Sequence, residues 1–196
     1  MKLILASSSP RRAEILRNAG FSFQILASAV DESPLPAESP QDHVRRLAES
    51  KAAFAAKRSS PPAIVIAADT IVALDGRILG KPRNLDDARA MLELLSGRTH
   101  AVHTGLALIR LPEGELRAAV ETTLVTFAQL SPQDISAYLA SGEPFDKAGA
   151  YAIQGRGGRF VPRIAGCYFN VMGLPLARLA ELLRELGWGE EKNALK

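Results

Sequence analysis

Three observations predict an α/β fold built on a central mixed sheet flanked by helices. Segments with helical spacing alternate with short strand-like runs along the chain, the order expected of crossover-connected strands. Residues 64–68 form an unbroken apolar run after Pro61-Pro62, the pattern of a strand covered on both faces. Asp75-Gly76 and Pro112-Glu113-Gly114 each separate two strand-like runs. Those are hairpin signals, and hairpins combined with crossovers make a sheet mixed rather than parallel.

Taken in order, Leu3-Ile4-Leu5-Ala6 reads as the first strand. It runs into Ser7-Ser8-Ser9-Pro10, where Ser9 suits an N-cap and Pro10 a first helical position. A helix follows over 11–19 and stops at Gly20, then a strand over 21–26. Residues 28–40 form a loop rich in serine and proline. Ser39-Pro40 repeats the cap-and-proline signal and opens a helix to about residue 57. Next come strands over 64–68, 71–74 and 77–79, and a helix from the Asn84 cap to about residue 95, ended by Gly97. Two long strands are expected over 101–110 and 116–127. Ser131-Pro132 starts a helix closed by Gly142, and a last helix covers 176–186 between Pro175 and Gly187. The chain is expected to be one domain over 1–196, with a polar, frayed tail from about residue 189.

Hydrophobic residues make up 47% of the chain and charged residues 23%, as in an ordinary globular protein. The net charge of +3 suits an anionic small molecule, while the arginines are too scattered for the basic stripe of a nucleic-acid binder. No stretch reaches the roughly 18 unbroken apolar residues of a membrane helix, and the amino-terminal run is too short for a signal peptide. A cytoplasmic protein is expected. One cysteine, Cys167, excludes an internal disulfide framework and a multi-cysteine zinc site, and reads as a packing residue. The short Gly155–Arg159 stretch (residues 155–159) reads as a structured glycine turn.

Chemistry-bearing residues cluster in a few places. Arg11 and Arg12 occupy a helix first turn, where the macrodipole favours negative charge. A bound anion resolves that conflict, held by helix N–H groups, serine hydroxyls and guanidinium forks. Two surface arginines in solvent are the alternative. Asp69 follows the buried run, at the carboxyl end where open α/β sheets take ligands; a turn aspartate is the alternative. Asp31 and Glu32 stand in the long loop, either as ligands for Mg²⁺ or as a solvated acidic turn. Lys51 falls within the apolar stripe of its helix, so it either snorkels to solvent or enters a polar cleft as a phosphate ligand. Lys81 sits on the Gly80-Lys81-Pro82 turn, and Gln154 carries an amide that can donate to and accept from a nucleobase edge or the loop backbone. His100 and His103 lack the partners of a metal site and suit core or rim positions. There is no Walker A motif, no dinucleotide fingerprint and no Ser-His-Asp set.

Leu5-Ala6-Ser7-Ser8-Ser9-Pro10-Arg11-Arg12, Ala68-Asp69-Thr70, Gly80-Lys81-Pro82, Ser96-Gly97-Arg98 with His100, Asp146-Lys147-Ala148-Gly149-Ala150-Tyr151, Ile153-Gln154-Gly155 and Asn170-Val171-Met172-Gly173-Leu174-Pro175 together resemble the Maf family, in the family's order and over nearly the whole chain. The resemblance implies a nucleoside triphosphate pyrophosphatase that cuts between the α- and β-phosphates with a divalent metal, Mg²⁺ or Mn²⁺. It also implies an elongated fold with two lobes around a deep cleft, akin to inosine-triphosphate pyrophosphatases, and a homodimer. Carried over position by position, Asp69 matches the proton acceptor. Arg12, Thr70 and Gln154 match the positions marking the branch that acts on dTTP and UTP, as against the sister branch that prefers 7-methyl-GTP. Ser7, Arg11, Glu32, Lys51 and Lys81 match residues used around the phosphates and metal, Glu32 and Asp69 being the metal ligands. Ala152 and Met172 depart from common family choices without touching a charged group. Rival readings are a pyrophosphatase of modified or purine nucleotides, a nucleotide-binding regulator of cell division with little catalysis, and, third, a nucleic-acid-binding module.

Overall fold

The computed structural model describes residues 1–189; the expected frayed tail over 190–196 lies outside them. The sheet has seven strands: β1 (Lys2–Leu5), β2 (Phe23–Ile25), β3 (Ala63–Leu74), β4 (Arg77–Leu79), β5 (Thr99–Leu111), β6 (Glu115–Thr126) and β7 (Arg163–Ala165). Their order is β2-β1-β3-β5-β6-β7, with β4 paired to the far half of β3. β1 runs parallel to β2 and β3, and the remaining pairings are antiparallel, so the sheet is mixed as expected. Helices α1 (Pro10–Asn18), α2 (Pro40–Ala56), α3 (Leu85–Leu95), α4 (Pro132–Leu139), α5 (Tyr168–Met172) and α6 (Leu176–Glu185) complete the fold.

β3 organises the molecule. Its alternate residues point to opposite faces: Ile64, Ile66 and Ala68 pack with α1 and α6, while Ala63, Val65 and Ala67 pack against Ala48, Ala52 and Ala55 of α2. Beyond them, Val72 and Leu74 enter a further core built from α3, α4 and the aromatic residues Phe127, Tyr138, Tyr151 and Phe160. The sequence reading divides this region into two strands with Asp69 at the end of the first. Instead one twelve-residue strand passes straight through Asp69 and Thr70. The expected position of the acid still has a basis, because β1 pairs with β3 only as far as Leu5↔Ile66. Asp69 thus lies just past the carboxyl end of the parallel pairing, between a lobe cored by α1, α2 and α6 and a lobe cored by α3 and α4.

The small side chains of α2 let it lie close to the sheet, and Gly105 on β5 makes room for it. A Cβ there would overlap the Val44 carbonyl and come 2.8 Å from Arg45 N. Gly105 is also the cross-strand partner of Asp69. The close approach of helix and sheet therefore occurs beside the acid. The Asp75-Gly76 hairpin is as expected: Leu74 pairs with Arg77, and both turn residues have positive φ.

His100 belongs to the second core. It is 2% exposed, stands edge-on to Phe127 and places Nε2 2.8 Å from the Tyr151 hydroxyl. Burial lowers its pKa from 6.5 to about 4. The unfolded chain then takes up a proton below pH 6.5 that the folded chain refuses, so this contribution is complete above 6.5 and is lost as pH falls toward 4. Between neutral pH and about pH 4.5 the wild type is expected to lose roughly 2–3 kcal/mol relative to His100→Gln. Urea midpoints of the two proteins across that range provide the check, and parallel curves refute it.

Candidate active site

A cleft of about 820 Å³ lies where the lobes meet. Its walls come from the β1–α1 turn, the loop before α2, the inner face of α2, residues 69–72 of β3, the Lys81 turn, residues 146–154 and the end of α5.

α1 opens onto this cleft without a cap or an acidic first turn, as α5 and α6 also begin, but among the described helices it alone carries two arginines there. α2, α3 and α4 each begin with a side-chain cap and an acidic first turn. α1 has neither, and its first turn carries Arg11 and Arg12 instead. Ser9, expected to cap it, makes no side-chain cap bond; its N–H donates to Ser7 Oγ at 3.2 Å. The positive helix end is left uncompensated beside Ser7, Ser8 and Ser9 in the cleft wall.

The two arginines diverge. Arg12 donates from Nε to the Gly173 carbonyl at 2.8 Å, from Nη1 to Ser7 Oγ at 3.1 Å and from Nη2 to Thr70 Oγ1 at 3.1 Å. The Thr70 hydroxyl lies 2.9 Å from that of Thr104, which donates to the Asn170 carbonyl at 3.1 Å. Arg12 and Thr70 thus form one chain of bonds that pins α1 to β3 and α5, shaping the wall instead of offering a free fork. Burial lowers the Arg12 pKa, opposed mainly by the charge of Asp69. Arg11 keeps its fork toward the cleft, and among the described residues its ion pair is a 3.9 Å contact with Asp146.

Lys51 is inward-facing, 7% exposed, and does not snorkel out to solvent. Its Nζ donates to Asp69 Oδ1 at 2.6 Å and pairs with Glu32 Oε1 at 2.5 Å. Asp69 is itself 7% exposed, so its burial is compensated by this ammonium. The carboxylates of Glu32 and Asp69 are hard oxygen donors of the kind that suit Mg²⁺ or Mn²⁺. No cluster of three His, Cys, Asp or Glu side chains suited to a metal occurs among the described residues.

Glu32 is held in reach by a network that sequence reasoning missed. Glu38, before the α2 cap, accepts from Arg46 at 2.5 and 2.9 Å, lies 2.9 Å from His43 Nδ1 and accepts from the Leu35 N–H at 3.1 Å. Arg46 also donates to the Ser33 carbonyl at 3.1 Å. The Arg46 hydrogen bonds hold the Glu38 carboxyl far below its ordinary pKa. No periodicity signals this cluster, since Glu38 lies outside the helix it engages. Asp31 takes the bland role, accepting from the Ser33 N–H at 2.9 Å in solvent.

The model of the family described as Maf-like protein matches residues 2–186. The chain belongs to the Maf family. Its relatives include a protein from Syntrophus aciditrophicus (strain SB), 48% identical over 95% of this chain and 90% of the relative. One from Caldanaerobacter subterraneus subsp. tengcongensis is 50% identical, with the same shares covered. One from Carboxydothermus hydrogenoformans is 47% identical over 96% of this chain and 100% of the relative. All three bear the name dTTP/UTP pyrophosphatase. Among solved structures, the Staphylococcus aureus Ham1 protein shares the fold, with TM-score 0.52 and 15% identity over 94% of this chain and 99% of that one.

The residues that the family resemblance assigned to the site all line this cleft: Ser7, Arg11, Arg12, Glu32, Lys51, Asp69, Thr70, Lys81 and Gln154; Asp31 does not. Lys81 and Gln154 are exposed there. Asp146 and Lys147, paired with each other, join them opposite Arg11. They stand in a motif quoted for the Maf resemblance, but nothing in their spacing assigns them to this wall.

Proposed function

We propose that this chain hydrolyses dTTP and UTP to the nucleoside monophosphate and pyrophosphate. The observation that carries the reading is the Asp69–Lys51–Glu32 array, at 2.6 and 2.5 Å, sharing a cleft with an uncapped cationic helix end. The names borne by the relatives support the same substrate pair.

In this mechanism the α1 N–H groups, the Ser7 hydroxyl, Arg11 and Lys81 hold the phosphate oxygens. Asp69 orients a water and accepts its proton as the water oxygen attacks the α-phosphorus. The bond to the bridging oxygen breaks, and pyrophosphate leaves with the electron pair. Lys51 and Arg11 offset the negative charge that grows on it, a kind of preorganised stabilisation that supplies several kcal/mol. Glu32 and Asp69 would hold a divalent metal, which when bound supplies Lewis-acid polarisation of the phosphates. Gln154 offers hydrogen bonds to the base. Arg12 and Thr70 set the shape of the wall beside it. A homodimer and a cytoplasmic location belong to the same proposal.

Pyrophosphate release across the common triphosphates and 7-methyl-GTP is the test. With Mg²⁺ or Mn²⁺, dTTP and UTP are expected to lead, and chelation with EDTA to abolish release. Preference for 7-methyl-GTP or a purine triphosphate refutes the substrate assignment. Tight binding without pyrophosphate release refutes catalysis.

A further inference from the structure

Gln154 stands on an exposed turn with no side-chain hydrogen bond of its own among the described residues. What holds the turn is a pair of side chains behind it. The Tyr138 hydroxyl accepts from the Ala152 N–H at 3.1 Å and donates to Glu143 Oε1 at 2.8 Å. The Glu143 carboxylate then accepts from the Gly157 N–H at 3.1 Å and, through Oε2, from the Arg156 N–H at 2.9 Å. The residues on both sides of Gln154 are therefore fastened to one phenol–carboxylate unit. Gly155 is glycine for the same reason, since a Cβ there would lie 2.5 Å from Glu143 Oε1 and 2.6 Å from its Cδ. Tyr138 is anchored in turn, fully buried and edge-on to Phe160 at 5.1 Å.

We propose that Glu143, oriented by Tyr138, is a positioning residue for base selection, acting through the turn that presents Gln154 to the cleft. The inference rests on the reading of Gln154 as the base contact. Glu143 is not among the residues that line the cleft and stands behind the turn that carries Gln154. Burial raises the pKa of its carboxyl, but the Arg156 and Gly157 amides and the Tyr138 hydroxyl outweigh that and keep it ionised. An amide in its place loses the charge and turns an –NH₂ toward a backbone N–H. The turn is then free to move, and a base-reading site is sensitive to such movement because its selectivity depends on leaving the wrong base unpaired.

The test compares wild type with Glu143→Gln, Tyr138→Phe and Gln154→Ala, measuring kcat/KM for UTP, dTTP, GTP and ATP. Inorganic tripolyphosphate serves as a base-free competitive inhibitor that reports on the phosphate end alone. Glu143→Gln is expected to lower kcat/KM for UTP and dTTP about tenfold, mainly through KM, with purine values and the tripolyphosphate inhibition constant unchanged. Tyr138→Phe keeps the ring in its apolar seat and gives the same pattern; it decides the matter if Glu143→Gln does not fold. If Gln154→Ala erases the ranking while both other variants retain it, the positioning role is refuted and the base contact stands. If Gln154→Ala leaves the ranking intact, the base contact fails, and the inference with it. If Glu143→Gln or Tyr138→Phe weakens tripolyphosphate as much as UTP, the pair supports the whole cleft and base selection is refuted.

Discussion

Asp69→Asn is expected to reduce pyrophosphate release from dTTP by about 100- to 10,000-fold, the range lost with a positioned general base. Asparagine preserves the shape of the side chain and one carbonyl oxygen for Lys51, now 2.6 Å from Asp69 Oδ1. It removes the negative charge and the ability to take a proton from water. Arg11, Lys81 and the α1 terminus are unaltered, so dTTP is expected to bind with an affinity within severalfold of wild type. Single-turnover measurements separate chemistry from binding, and calorimetric titration gives the affinity directly. A turnover within threefold of wild type would remove Asp69 from the reaction.

The largest effect on stability is expected from Gly105→Ala. The new Cβ would overlap the carbonyl of Val44, which is helix backbone and cannot rotate away. Relief requires α2 to lift from β5, opening space around Ala48, Ala52 and Ala55, all fully buried. Losses of more than about 4 kcal/mol belong to mechanisms of this kind. Because Gly105 lies across from Asp69 and α2 carries Lys51, the same displacement separates the ion pair. Gly80→Ala is the control, since no atom lies within 4 Å of its Cβ position, and its effect is expected to stay within about 0.5 kcal/mol. Denaturant midpoints decide between them. Equal midpoints would mean that α2 has room to spare.

Local patterns proved sufficient for most elements because each rests on chemistry close in sequence. The caps at Ser39, Asn84 and Ser131 all form as read, and the residues 155–159 turn is structured. Splitting β3 at Asp69 treats a polar residue as punctuation, yet an acid can remain within a strand when a lysine from another element neutralises it. The strand read over 21–26 shortens to Phe23–Ile25, since pairing with β1 covers only those residues. β7 and α5 carry no periodicity long enough to detect, and they are held by distant partners such as Asn170, whose amide donates to Val102 O and Thr123 Oγ1. In the site, the residue types read from the sequence converge on one cleft. The tying of Arg12 to Gly173, 161 positions away, depends on tertiary folding alone.

β3 and β5 stay paired from Ala63↔Leu111 to Ala73↔Ala101, uninterrupted across the junction of the lobes. Jaws spliced by two continuous, mutually bonded ribbons have no flexible joint about which to swing. Wide opening would demand bending that ladder, so the gap between the jaws is built to a set width before any nucleotide arrives. Adaptation to the guest then falls to the rim, where the Glu32 loop and the Gln154 turn are tied by side chains and the Lys81 turn by the Gly80 carbonyl to the Gly149 N–H, none of them part of the beams beneath.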